Sequence, residues 1–203
     1  MRKGGRTMRA ARPGPLSFDP VVVGNRETDA WAAYYRHEWL TFLVAAVGMV
    51  AAGFGMSPRR TLAGAWYVLR ANQMWSPYPD NQPDAARAYM RRFYQLVVDA
   101  SGLDIDPARA ARLEVEWWRV HRANQHDENV TEAQVEEALT DLYSYAYGVD
   151  REAVRPAARK RVEAMGLSDR WVQAGCHRDD PLLAAERRAL VASYAALRAA
   201  VER

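Results

Sequence analysis

The sequence predicts an all-α fold, and three observations carry that prediction. Apolar residues recur at three- and four-residue spacing in six separate stretches. Helix starts are marked by a capping residue followed by proline at Ser57-Pro58, Asp106-Pro107 and Asp180-Pro181. Strand-like alternation does not extend beyond a few residues outside Val21–Val23.

Taken in order, residues 1–26 are rich in Gly, Pro and Arg and read as a flexible basic tail, with Phe18 and Val21–Val23 able to pack on the body. A first helix is expected from about Thr28 to Phe54, stopped by Gly55 with Pro58 beyond. A second runs from Pro58 to about Trp75, with Leu62, Trp66, Leu69 and Met74 as its apolar stripe. The proline-rich segment 76–83 breaks the pattern, and Pro83 opens a third helix that buries Ala86, Met90, Phe93 and Val97 and ends at Gly102. A fourth follows Asp106-Pro107, with Leu113, Trp117 and Val120 inward. The fifth start is the clearest: Thr131 and Gln134 fit a capping box, with Val130 and Val135 at the staple positions. Residues 149–180 read as short helices broken by Pro156, Gly166 and Gly175. A last amphipathic helix after Pro181 carries Leu190, Tyr194, Leu197 and Val201. The expected architecture is therefore one helical domain over 27–203, a bundle of about six main helices around a central apolar one.

A chain of 203 residues can bury about 70% of its unfolded surface without staples. Hydrophobic content of 49% with 26% charged residues is globular composition. The single cysteine, Cys176, excludes an internal disulfide and any CxxC metal motif, and a cytoplasmic location is expected. Five of the basic residues fall within the first twelve positions, leaving 23 basic against 25 acidic residues in the body. The body thus lacks the basic face of a nucleic-acid reader. No apolar run of signal-peptide length follows the tail, so none is expected.

The stretch Trp39–Met56 bears no formal charge, and its only polar side chain is Thr41. As a helix it reaches about 27 Å, slightly short of a hydrocarbon core of about 30 Å. Leu43, Val47, Val50 and Phe54 form a large stripe, opposite the small residues Ala45, Gly48, Ala52 and Gly55. That pattern suits a central bundle helix buried on both faces, with membrane anchoring as the alternative.

Candidate chemistry lies on the first and fourth predicted helices. Tyr34 and Glu38 share a face beside His37, and Glu114, His121 and Gln125 share another. If these helices touch, His121 can act as acid or base with Glu114 or Glu38 orienting it. No Glu-x-x-His or His-Glu-x-x-His spacing occurs, so no metal or other cofactor is expected. Arg91 and Arg92 can pair with Glu114 or Glu116 on the next helix. In the loop SPYPDNQP, Asp80 and Asn81 can cap the following helix, and Tyr78 can cover a pocket mouth. Paired aromatics such as Trp117-Trp118 place one ring inward and its neighbour at a boundary, so Tyr34, Tyr78, Trp118 and Gln125 are candidate ligand contacts.

The runs AWYVLRANQMWSPYPDNQPDAARAYMRRFYQLV and LEVEWWRVHRANQH, with WVQAGCHRDDPLLAAERRALVASYAAL, resemble a group of uncharacterised actinobacterial proteins over roughly residues 30–200. The resemblance implies a helical fold and brings no activity with it. Three functions stay open: a helical module binding a small apolar or aromatic ligand or a protein partner, an enzyme using the His/Glu cluster, and a membrane-anchored protein.

Overall fold

A computed structural model describes residues 14–127 and 129–202, whose regular structure is all helix, without a strand. Eight helices follow one another among the described residues: α1 (Pro20–Tyr35), α2 (Trp39–Phe54), α3 (Pro58–Trp75), α4 (Pro83–Ser101), α5 (Pro107–His126), α6 (Glu132–Tyr147), α7 (Arg151–Gln173) and α8 (Pro181–Val201).

The expected helix over 28–54 is in fact two. Asp19 caps α1, its carboxylate accepting from the amides of Val21 (2.8 Å) and Val22 (3.3 Å), with Pro20 in the first turn. The chain from 20 to 26 is thus helix rather than tail, while residues 1–13 of the expected tail lie outside the described residues. The break falls at His37, which adopts φ 56°. The amides of Glu38 and His37 close back onto the carbonyls of Ala33 (2.8 Å) and Tyr34 (3.0 Å), a Schellman ending with histidine in the left-handed position where glycine is usual. No glycine marks the stop, so the sequence pattern runs straight through it.

Residues 151–173 form one continuous helix instead of several. Pro156 lies six residues in, where its missing N–H forfeits one bond, to the Glu152 carbonyl, and the rest of the ladder continues. Gly166 sits inside the helix, and the stop comes at Gly175 (φ 97°). The capping box at Thr131 forms as expected, with the Thr131 amide donating to Gln134 at 2.8 Å.

Each helix packs beside its neighbours in sequence, and α8 closes onto α1. Short connections between side-by-side helices make the neighbours antiparallel. The eight helices therefore form a closed ring in which no single helix is central. The apolar stretch that became α2 is one stave of this ring. Its inner side buries Phe42, Ala46 and Val50, and its outer side leaves Leu40 (77%) and Val44 (62%) exposed. Its small-residue side meets α1, where Gly48 admits the Arg26 side chain. No helix among the described residues is long and apolar enough to cross a membrane.

The stripe expected on α3 holds at Leu69 and Met74 but not at its first two positions. Leu62 and Trp66 face outward, and the buried positions are Thr61, Ala65, Val68, Leu69 and Trp75. Small residues let α3 approach its neighbours, so the inner face is not the one with the largest side chains. The stripe on α4 is as expected, with Ala86, Met90, Phe93 and Val97 buried.

The ring closes tightly at α1 and α8. A Cβ on Gly24 would lie 2.8–2.9 Å from Val191, from its backbone as well as its side chain. Arg187 of α8 also reaches back to Asp29 (2.8 Å) and to the Asn25 carbonyl (3.0 Å) of α1.

Candidate functional site

The ring encloses a cavity of about 230 Å³, to which all eight helices contribute side chains. Its walls are largely aromatic, with Trp31, Phe42, Trp75, Phe93, Trp117 and Trp118 among them. Phe18, from the segment before α1, and Leu103 and Ile105, between α4 and α5, line it at the end away from the C-termini of α1 and α5.

Two polar groups are set deep in this wall. The first centres on Arg161 of α7, which donates to Glu27 of α1 through Nη1 (3.1 Å) and Nη2. Tyr194 of α8 donates its hydroxyl to the same carboxylate. The guanidinium carbon lies 5.4 Å from the Trp31 ring centre, 5.3 Å from Trp117 and 5.9 Å from Tyr194. Burial opposes the charge on Arg161, but Glu27 and the phenols of Tyr143 and Tyr194 outweigh it and hold its pKa well above the usual value. The Nε of Arg161 is closed off from solvent and cavity and has no acceptor among the described residues.

The second group centres on Glu114 of α5. Tyr94 donates to one carboxylate oxygen at 2.7 Å, and the indoles of Trp117 (3.1 Å) and Trp118 (3.2 Å) donate to the other. Burial pushes the Glu114 carboxyl above the usual range, against the pull of these donors and of Arg161. Glu114 is half-buried and lines the cavity. Burial likewise raises Tyr94, with the Glu114 charge adding to it.

Nearer the C-termini of the odd-numbered helices, His121 and Gln125 converge on Asp169 of α7. Nε2 of His121 lies 3.2 Å from one oxygen, and the Gln125 amide donates to the other at 2.6 Å. Beside them Arg122 donates to the Tyr34 hydroxyl (3.2 Å) and lies over both Trp75 (5.6 Å) and Tyr78 (5.4 Å). Tyr78 in turn stacks on His126, centroids 4.3 Å apart. An outer hollow, bordered by His37, Ser76, Asn124 and Gln173, shares Tyr34, Tyr35, Arg122 and Gln125 with the inner cavity. Those four side chains form the partition between surface and interior.

The structure thus brings together Tyr34, Glu114, Trp118, His121 and Gln125 of the sequence candidates in one cavity wall. Tyr78 lines neither hollow; it stacks on His126 and lies beneath the Arg122 guanidinium. His37 borders only the outer hollow. Glu38 is separate: it pairs with Arg36 (2.7 Å) and Arg178 on the surface, because the break at His37 turns it away from α1's inner face. It lines neither hollow, and the carboxylate beside His121 is that of Asp169. Arg91 and Arg92 do not pair with Glu114 or Glu116. Arg92 lies over Tyr67 and Tyr89, while Glu116 is held by Arg119 at 2.7 Å. Asp80 and Asn81 do not cap α4, whose N-cap is Gln82 without a side-chain bond. The thiol of Cys176 is raised by burial. No group of three or more His, Cys, Asp or Glu side chains able to hold a metal ion occurs among the described residues.

Glu27, Arg161, Tyr194 and Asp169 were not candidates in the sequence. A signal existed for the first two. Val23, Glu27, Ala30 and Tyr34 follow 4-3-4 spacing, as do Val154, Ala158, Arg161 and Met165, so a charge stands within each inner stripe. Reading α1 from Thr28 and α7 as broken helices hid both patterns.

No family model matches this chain, and no curated protein or solved structure matches it either.

Proposed function

We propose that this protein binds a small, largely aromatic or apolar molecule inside the ring of helices. The observation that carries this reading is the cavity of about 230 Å³ with an aromatic wall and a few fixed polar groups. An apolar cavity of about 150 Å³ takes up benzene, so this one has room for two fused rings. Concave aromatic walls with sparse polar anchors are the general form of small-molecule sites. The four-residue partition gives a route inward: Arg122 and Tyr34 are held by one hydrogen bond and by ring stacking, contacts that side-chain rotation can release.

Thermal shift against small aromatic compounds tests this, with Ala146→Trp as the blocked control because Ala146 lines the cavity. Compounds that raise Tm in the wild type and not in Ala146→Trp are expected. Equal shifts in both proteins would place binding elsewhere, and no shift across the series would remove the reading.

A second reading, an enzyme, has one observation in its favour. His121 borders the cavity with its Nε2 on a carboxylate, the arrangement that orients an imidazole for proton transfer. Under this reading His121 exchanges a proton with a bound ligand while Asp169 stabilises the imidazolium. Once a ligand is known, its turnover by the wild type and by His121→Gln decides: unchanged ligand after incubation with the wild type leaves binding alone.

A further inference from the structure

Resting on the binding reading, we infer that the ligand carries a positively charged nitrogen and that this nitrogen seats against Glu114. The argument starts from the charges that face the interior. Deep in the cavity these are Glu27, Glu114 and Arg161, two carboxyl groups against one guanidinium. Arg161 is committed to Glu27 through two nitrogens, and aromatic rings cover it. Glu114 receives only neutral donors, one phenol and two indoles. The remaining ionisable side chains of the wall are phenols, neutral at physiological pH, and Arg122 and His121, which stand towards the mouth beside Tyr34 and Asp169. The deep end therefore has one carboxyl group without a counter-ion of its own.

That carboxyl group also has the exposure a ligand needs. Glu114 is half-buried and lines the cavity, so a molecule inside the ring can reach it. With three donors on two oxygens, it retains acceptor capacity for one more N–H. A cation there would hold Glu114 ionised, reversing the effect of burial on it.

The surrounding rings favour the same class of ligand. Arg161 already shows how this interior receives a cation, enclosed by Trp31, Trp117 and Tyr194 and paired with a carboxylate. Indole and phenol faces stabilise a desolvated cation by about 2 kcal/mol or more. An anionic ligand would meet two carboxyl groups and no uncommitted guanidinium at this depth. The ligand class is thus a one- or two-ring aromatic molecule bearing a protonated amine or a quaternary ammonium.

The test compares 2-(1-naphthyl)ethylamine with its neutral counterpart 2-(1-naphthyl)ethanol on the full chain, followed by calorimetry at pH 7.5. The body, with 23 basic against 25 acidic residues, attracts any cation weakly, and the Glu114→Gln comparison separates that attraction from seating at Glu114. The amine is expected to bind at least about tenfold more tightly than the alcohol, and in Glu114→Gln the ratio of the two affinities should fall to about one. Alcohol binding equal to or tighter than amine binding in the wild type would overturn the inference and leave the cavity reading standing. An amine preference that survives unchanged in Glu114→Gln would overturn the assignment to Glu114. Binding of neither compound would count against the cavity reading itself. The comparison of the two compounds needs only the wild-type chain, so it decides even where the variant does not fold.

Discussion

Glu27 of α1 and Arg161 of α7 meet in the ring's interior, 134 residues apart in sequence, each with only 8% of its side chain exposed. Neither helix is next to the other in the ring, since α8 stands between them and contributes the Tyr194 hydroxyl to the same carboxylate. The pair joins the two ends of the chain across the closing seam.

Removing one partner leaves the other charge buried without its counter-ion. Glu27→Leu is expected to cost about 3–5 kcal/mol, whereas Glu27→Leu with Arg161→Met should recover most of that loss. Urea unfolding of the two variants measures the difference. A double variant as unstable as the single one would show that the pair does more than neutralise itself.

At Gly24 helix propensity and packing predict opposite signs. Alanine is better than glycine in a helix interior by about 1 kcal/mol. The added Cβ, however, would press on the Val191 backbone at 2.9 Å, and backbone cannot rotate away. Overpacking of this kind costs about 1–3 kcal/mol, so Gly24→Ala should lower Tm. A raised Tm would mean that α1 and α8 separate easily and that the seam is not close-packed.

Much of the ring's framework was legible in the sequence, and what was not has identifiable causes. The capping box at Thr131, the Asp-Pro starts of α5 and α8 and the stripe on α4 express local rules, and the structure follows them. The break at His37 was not legible because a histidine takes the left-handed turn that glycine usually marks. The stripe of α3 was misplaced at its first two positions because the buried face there is built from Thr61, Ala65 and Val68, while the bulkier Leu62 and Trp66 face out. For the site, spacing placed Glu114, His121 and Gln125 on one helix. The partners came from closure of the ring, which local periodicity does not encode: Asp169 for His121, Tyr94 for Glu114, and Arg161 for Glu27.

Glu186 on α8 gives the stability curve a pH dependence. Its side chain is fully buried, and the Ser168 hydroxyl is the polar group that faces its carboxyl. Burial first, then the nearby Glu27 charge, raises its pKa from 4.5 to about 8. The folded state therefore holds a proton that the unfolded chain releases near pH 4.5. Stability from this group is fully present below that pH and is lost as pH rises through 8, on the order of 5 kcal/mol over the range. Urea midpoints between pH 5 and 9 should fall more steeply for the wild type than for Glu186→Gln, and the variant should be the more stable protein at pH 9. Parallel curves would show that Glu186 titrates alike in both states.

The most direct measurement of the central claim is anomalous diffraction at the bromine edge from crystals soaked in 6-bromo-2-naphthol. The bromine signal is expected inside the ring, among Phe93, Trp117 and Trp118. Bromine found only on the outer surface, with the interior unchanged, would contradict a ligand cavity at the centre of this protein.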